Sequence, residues 1–357
     1  MLNILIFLVV LSILVLAHEL GHFLAAKYSR VRVEEFALGF PPTIYSQQKG
    51  ETKYMINLIP FGGYVKMFGE DGTHQKNKDS FAYKNWLTKI FIVSAGVIMN
   101  LVLGSLLLGI VLMFGLPVIS DNVQSAYPGA QITPEAIVYD VPEDHSMANQ
   151  IRSGDKIVAV NDQTINSIKS FKDSLQTIQN QPYQITVERD SSRLEVSALS
   201  IFNEQSGEWQ IGLDLIEGSI VKYPFYLAIP MGIVEMFRML WMMIVALFMI
   251  LYNLIVTQSV PSQIAGPVGI YKLTAEASAM GITYLMQMMA ILSINLAIIN
   301  FLPIPALDGG RVIFIIGERL FGKKMSANTE NIIHMIGFFA IIALLIIVTI
   351  GDVQKFF

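Results

Sequence analysis

Apolar residues along this chain gather into long blocks. Leu2–Ala26, Ile90–Leu116, Ile282–Leu302 and Ile332–Ile350 each reach spanning length, since about 19 mostly apolar residues match a hydrocarbon layer about 30 Å thick. These four are predicted to cross a membrane. A fifth block, Leu227–Val256, is as apolar but carries Glu235 and Arg238. Between the blocks the pattern changes period. Val31–Phe36 and Thr52–Leu58 have β-rich composition, and Gln48–Glu51 is a plausible turn between them. Pro60–Met67 follows, with Gly62 and Gly63 allowing close backbone approach or a bend. This predicts a small β-hairpin unit dipping toward the membrane. Residues 118–215 predict one compact α+β domain. There, Ile151–Ile165 reads as turn, strand, tight turn and strand, Phe171–Ile178 as a short amphipathic helix, and Tyr183–Arg189 and Leu194–Ser200 as paired strands.

The fold class expected is therefore a polytopic α-helical membrane protein. It has four transmembrane helices, a membrane-associated β-hairpin unit and one external α+β domain. The expected divisions are 1–116, 117–215, 216–281 (interfacial helices on the external face) and 282–357. Composition agrees: mean hydropathy is +0.54, with 53% hydrophobic and 15% charged residues. A net charge of −4 offers no basic face for nucleic acid. With no cysteine, disulfides and thiolate metal sites are excluded, which leaves His, Asp and Glu as ligands. Because the first basic residue is Lys27 and the first apolar run is long with a His-Glu interior, no cleaved signal peptide is expected.

Charge sets the orientation. Residues 27–89 hold ten Lys/Arg and 311–331 hold four, so both read as cytoplasmic, whereas 117–226 hold seven over a far longer stretch. The N-terminus and the α+β domain are then expected outside the cytoplasm of a bacterial inner membrane. A single crossing by Leu227–Val256 would put loop 311–331 outside and break the rule. That block is therefore expected to make no net crossing, as interfacial helices or a hairpin.

The chemistry sits in the first block, Ala17-His18-Glu19-Leu20-Gly21-His22-Phe23. Positions i and i+4 share one helix face, so both imidazoles can address one metal ion, with Glu19 beside them as a base. Three ionisable side chains in bilayer-length apolar sequence are costly to keep, which favours function over accident. A catalytic zinc needs a third protein ligand and an open position. Asp308 is best placed, just past the run 282–302, where Pro303 and Pro305 interrupt the helix and Gly309-Gly310 free the backbone. His18 lies about 24 Å along its helix from the outer side, and Asp308 follows the inner end of a helix running the same way. His74, His145 and His334 read as surface or capping residues. With Zn2+ bound and Glu19 moving the proton, the expected reaction is peptide hydrolysis. At bilayer depth the substrate would be a transmembrane protein whose helix must unwind. The Gly62-Gly63-Tyr64-Val65 edge could pair with it, and Asn300 and Asn295 could hydrogen-bond it. Glue between helices is the rival role for the two asparagines.

Together these motifs resemble the bacterial site-2 proteases, intramembrane zinc metalloproteases, and within them the anti-sigma-factor branch. The resemblance is carried by His18–His22, Gly62–Met67, Gly96–Asn100, Gly266–Ile270 and Asn300–Gly310, in the family's order over nearly the whole chain. Ser153–Ile165 resembles the core of bacterial PDZ domains, which bind peptides by strand addition. The resemblance implies four transmembrane helices, zinc on His18, His22 and Asp308, Glu19 as base, and a substrate-pairing β-loop. Partners would be membrane lipid and transmembrane substrates already trimmed by another protease. There is room for one PDZ domain, where some members carry two. A silent membrane-helix scaffold and a metal transporter are the rivals. The intact Glu19 opposes the first, and the lack of an internal repeat opposes the second.

Overall fold

A computed structural model describes residues 2–356 apart from 120–121, 142–149, 153, 179–181, 190–191, 200, 204–207, 211–212, 257–265 and 323–326. Along the chain run helix α1 (Leu2–Tyr28), strands β1 (Val33–Lys49) and β2 (Thr52–Met67), and helix α2 (Trp86–Phe114). Next come β3 (Leu116–Ile119), α3 (Val123–Ala126), β4 (Gln131–Asp140), β5 (Lys156–Val160), β6 (Gln163–Thr164), α4 (Ile168–Ile178), β7 (Pro182–Arg189) and β8 (Ser192–Leu199). The short pair β9 (Ile201–Asn203) and β10 (Glu208–Gln210) precedes β11 (Asp214–Lys222). Helices α5 (Phe225–Val256), α6 (Pro267–Met280), α7 (Ile282–Phe301), α8 (Asp308–Phe321) and α9 (Ala327–Phe356) complete the described chain. It divides into two compact units, one of residues 1–108, 232–278 and 286–357, the other of 109–231 and 279–285.

Among the described residues five helices are long and apolar enough to cross a membrane: α1, α2, α5, α7 and the Ile332–Lys355 part of α9. Four coincide with the predicted spans. The fifth, expected as interfacial helices or a hairpin, is one uninterrupted helix that runs through Pro230, so the hairpin alternative is corrected. Its two charged residues bond to each other, Arg238 donating to Glu235 at 2.7 Å. A paired i,i+3 charge costs an apolar helix far less than two separate ones.

In the first unit, α1 is apolar all round yet buries one stripe. Val10, Leu14, His18, Gly21, His22 and Ala25 are buried, at the spacing of a single helix face. The two histidines thus continue the line that Val10 and Leu14 begin. The end of α1, the hairpin and α2 share a small core of Ala25, Ala26, Val31, Val33, Met67, Ile92 and Ala95. The hairpin is more than two strands. Residues 35–38 of β1 pair antiparallel with 63–66 on one side and lie in parallel register beside 53–56 on the other, while 43–49 pair antiparallel with 52–57. Two bent strands thereby make a sheet of four segments, with Gly63–Met67 along one edge.

The second unit holds a sheet in the order β3-β11-β4-β5-β7-β8, with β6 paired to β5. Asn161 and Asp162 both have positive φ, 44° and 66°, as a tight turn between two strands demands. Helix α4 buries Phe171 and Leu175 against Ile157, Ile185, Val187 and Val196. The strands and helix expected in 151–200 are all present, within two or three residues at their ends.

Candidate metal centre and its cleft

Helix geometry puts His18 and His22 one turn apart, and their Nε2 atoms lie 3.1 Å from each other. Asp308, the first residue of α8, brings its Oδ2 to 3.1 Å from His18 Nε2 and 3.2 Å from His22 Nε2. A tetrahedral zinc with ligands about 2.0–2.1 Å away spaces those ligand atoms about 3.3 Å apart, so the triangle has the right size. The donor chemistry agrees. Asp308 Oδ2 is buried and accepts no hydrogen bond. At most one proton fits between two Nε2 atoms this close, whereas a single cation satisfies all three lone pairs at once.

The surroundings orient the imidazoles. His22 Nδ1 donates to the carbonyl of Ile92 at 2.9 Å, which leaves Nε2 as the bare acceptor. His18 Nδ1 lies 3.3 Å from the side-chain amide of Asn100 on α2, a residue buried completely. With oxygen and nitrogen exchanged, Asn100 accepts from His18 Nδ1–H, and its otherwise unbonded buried oxygen gains a partner. A carbonyl and an amide from α2 would then set both tautomers alike. Asn100 is held in turn by Ser293 of α7, which donates to its backbone carbonyl at 2.8 Å.

Gly96, one turn before Asn100, lies against the two imidazoles. A Cβ there would stand 2.8 Å from His18 Nε2 and closer still to His22 Nε2. The cradle exists because position 96 carries no side chain. In the sequence Gly96 and Asn100 stand out only as the ends of Gly96–Asn100. No signal in the sequence told that they face the histidines.

A cleft of about 590 Å³ opens beside the triangle. Glu19 lines it, as do Gly62, Gly63, Tyr64, Val65 and Asn300. Gly63 packs on α1, where a Cβ would meet Glu19 Cγ and Val15 Cγ1, both at 3.2 Å. The Gly63–Met67 edge therefore runs alongside the glutamate. Its outer side has no strand partner among the described residues. Tyr64 donates to Glu35 at 2.9 Å. Burial, then that bond and the charge of Glu35, push its phenol up to about 12, so it remains a donor. Glu70, just past β2, pairs with Arg311 on α8 and ties the sheet to the helix that carries Asp308. Asn295 is exposed on α7 and does not line the cleft. His74 stacks on Phe68 with ring centroids 4.5 Å apart. His145 lies outside the described residues, and His334 lines the far wall of the cleft.

Three atoms of a kind that can hold a metal ion thus converge beside the Glu19 carboxylate, and both histidines sit on a helix long and apolar enough to cross a membrane. Residues 6–344 match peptidase family M50, and the chain belongs to that family. It is 30% identical to the zinc metalloprotease RasP of Geobacillus kaustophilus, over 98% of this chain and 97% of that one. Proteins named as candidate zinc metalloproteases from Clostridium perfringens and Rickettsia conorii are 30% and 32% identical, over 96% and 100% of this chain and the same shares of theirs. The PDZ domain of an SdrC-like protein from Listeria innocua is similar over 23% of this chain and 92% of that domain, at 22% identity and a TM-score of 0.21. The protein is thus a multi-pass membrane zinc metalloprotease of the site-2 type.

Proposed function

We propose that this protein hydrolyses peptide bonds within transmembrane segments, with His18, His22 and Asp308 holding the zinc and Glu19 as the general base and acid. The observation that carries this reading is the triangle of acceptor atoms 3.1–3.2 Å apart. A zinc ion held there supplies Lewis acidity at the scissile carbonyl and lowers the pKa of water toward about 7. Glu19 takes the proton from the attacking water and returns it to the leaving nitrogen. Apolar walls such as Val15, Val93 and Leu296 exclude bulk water and strengthen both steps.

A substrate helix hides its carbonyls in its own hydrogen bonds and must unwind before it is cut. The unwound strand pairs with the Gly62–Met67 edge, which supplies backbone partners beside Glu19, and Tyr64, Val65 and Asn300 contact it in the cleft. Asn295, facing outward, meets the helix as it arrives. The second unit is a PDZ-like domain outside the cytoplasm that admits only substrates already shortened there, such as anti-sigma factors or remnant signal peptides. The helices α1, α2, α7 and α9 cross the bacterial inner membrane. Helix α5 makes no net crossing, because the positive-inside parity of loop 311–331 requires it.

Metal analysis and cleavage of a helical membrane reporter test the reading together. His18→Ala, His22→Ala and Asp308→Ala lose zinc and activity, whereas Glu19→Gln keeps zinc and loses activity. Zinc retained in Asp308→Ala rejects the ligand set. Full cleavage by Glu19→Gln rejects that residue as the base, and a wild-type protein that cuts no reporter leaves a catalytically silent membrane-helix scaffold. A tag at residue 260 that reacts only from the cytoplasm rejects the topology of α5.

A further inference from the structure

We propose that His334, on the last helix, is a positioning residue that locks the loop before Asp308 and so holds that carboxylate at the metal triangle; this rests on Asp308 being a zinc ligand. The backbone N–H of Ala306 donates to His334 Nδ1 at 2.8 Å. That nitrogen is therefore unprotonated, and the proton of the neutral ring sits on Nε2, which lies 3.9 Å from Glu330 Oε1, beyond hydrogen-bond distance. The edge of Phe314 from α8 holds the ring, with centroids 5.3 Å apart.

The loop needs such a hold. Ala306 has φ +80°, a left-handed conformation that a residue with a Cβ adopts only when its surroundings impose it. Helix α8 begins at Asp308 without help from its N-cap, since Leu307 offers no side-chain bond. One turn after His334, Gly337 receives the carbonyl of Pro305 so closely that no side chain could stand there. Two residues of α9 thus grip two consecutive residues of the loop, and Asp308 follows two positions later. Sequence alone marks His334 as one more histidine at the start of an apolar span.

The test uses the full chain in detergent, with zinc per chain, the rate of zinc loss to a chelator, and kcat and KM on a helical reporter. His334→Leu should lose zinc about 10-fold faster and lower kcat about 10-fold, the range found when an outer partner of a ligand is removed, with KM within about 2-fold. His334→Asn places Oδ1 where Nδ1 stood and should restore most of both. Ala306→Gly added to His334→Leu should recover part of the loss, because glycine reaches positive φ without help. Wild-type zinc retention and kcat in His334→Leu overturn the proposal. So does an asparagine variant that loses zinc as fast as the leucine variant, or a loss confined to KM. If His334→Leu does not fold, the asparagine variant decides alone: slow zinc loss supports the lock and fast loss overturns it. Asp308→Ala is the control, and zinc retained there rejects the ligand assignment on which the lock depends.

Discussion

Two aspartates that each turn carboxylate oxygen inward, Asp155 in the sheet unit and Asp308 in the other, answer the same electrostatic problem in opposite ways. Asp155 in the sheet unit is 2% exposed and accepts from Arg189 Nε at 2.7 Å, from Arg189 Nη2 at 2.6 Å and from the Arg152 backbone at 2.8 Å. Both of its oxygens accept hydrogen bonds from within the chain. Asp308 points its Oδ2 at two imidazole nitrogens that are themselves acceptors when their Nδ1 atoms carry the proton. A cation shared with the two imidazoles would complete its environment. A satisfied buried carboxylate stabilises a fold, whereas one left facing other acceptors marks a place where the fold has been arranged around something else.

That contrast can be broken at several depths. The largest effect should follow Glu19→Gln, which leaves the triangle intact and removes proton transfer. A fall in kcat of about 1,000-fold is expected, within the range of general acid–base catalysis, with zinc content unchanged. Asp155→Asn should do the reverse, destabilising the sheet unit by about 1–3 kcal/mol because it removes the charge that the half-buried Arg189 guanidinium pairs with. Urea titration followed by the tryptophan of that unit, Trp209, reads the loss, while zinc per chain stays at the wild-type value. A drop in zinc on Asp155→Asn would show that the two aspartates are not independent.

Smaller changes sharpen the picture around the histidines. Gly96→Ala puts a methyl group against both Nε2 atoms and should weaken zinc binding about 10–100-fold with little change in the unfolding midpoint. Chelator competition measures it. Asn100→Leu removes the partner of His18 Nδ1 while keeping bulk, and about a 10-fold loss of zinc affinity is expected. The smallest effect belongs to Tyr64→Phe. It deletes the bond to Glu35 at a half-buried site and should cost about 0.5–1.5 kcal/mol, seen as faster hydrogen exchange in the 35–38 and 63–66 pairing.

Much of the molecule follows from spacing and composition, because those features act over one turn or one span. An i,i+4 histidine pair must share a helix face, and 19 or more apolar residues must find an apolar surrounding. Likewise the alternation in Tyr183–Arg189 declared a strand, and Pro303, Pro305 and the glycines after Asp308 declared a break. The chain on its own therefore determined the long helices, the sheet domain and the candidate ligands. Tertiary structure alone decided how those ligands are held. Ile92, Gly96 and Asn100 reach the imidazoles only because α2 packs closely enough on α1 for Gly21 to touch Ala95. The hairpin becomes a four-segment sheet only when Glu35 and its neighbours pair on both sides at once. Lone pairs, tautomers and close contacts depend on ångström-scale approach between residues far apart in the chain, and no local period records that distance.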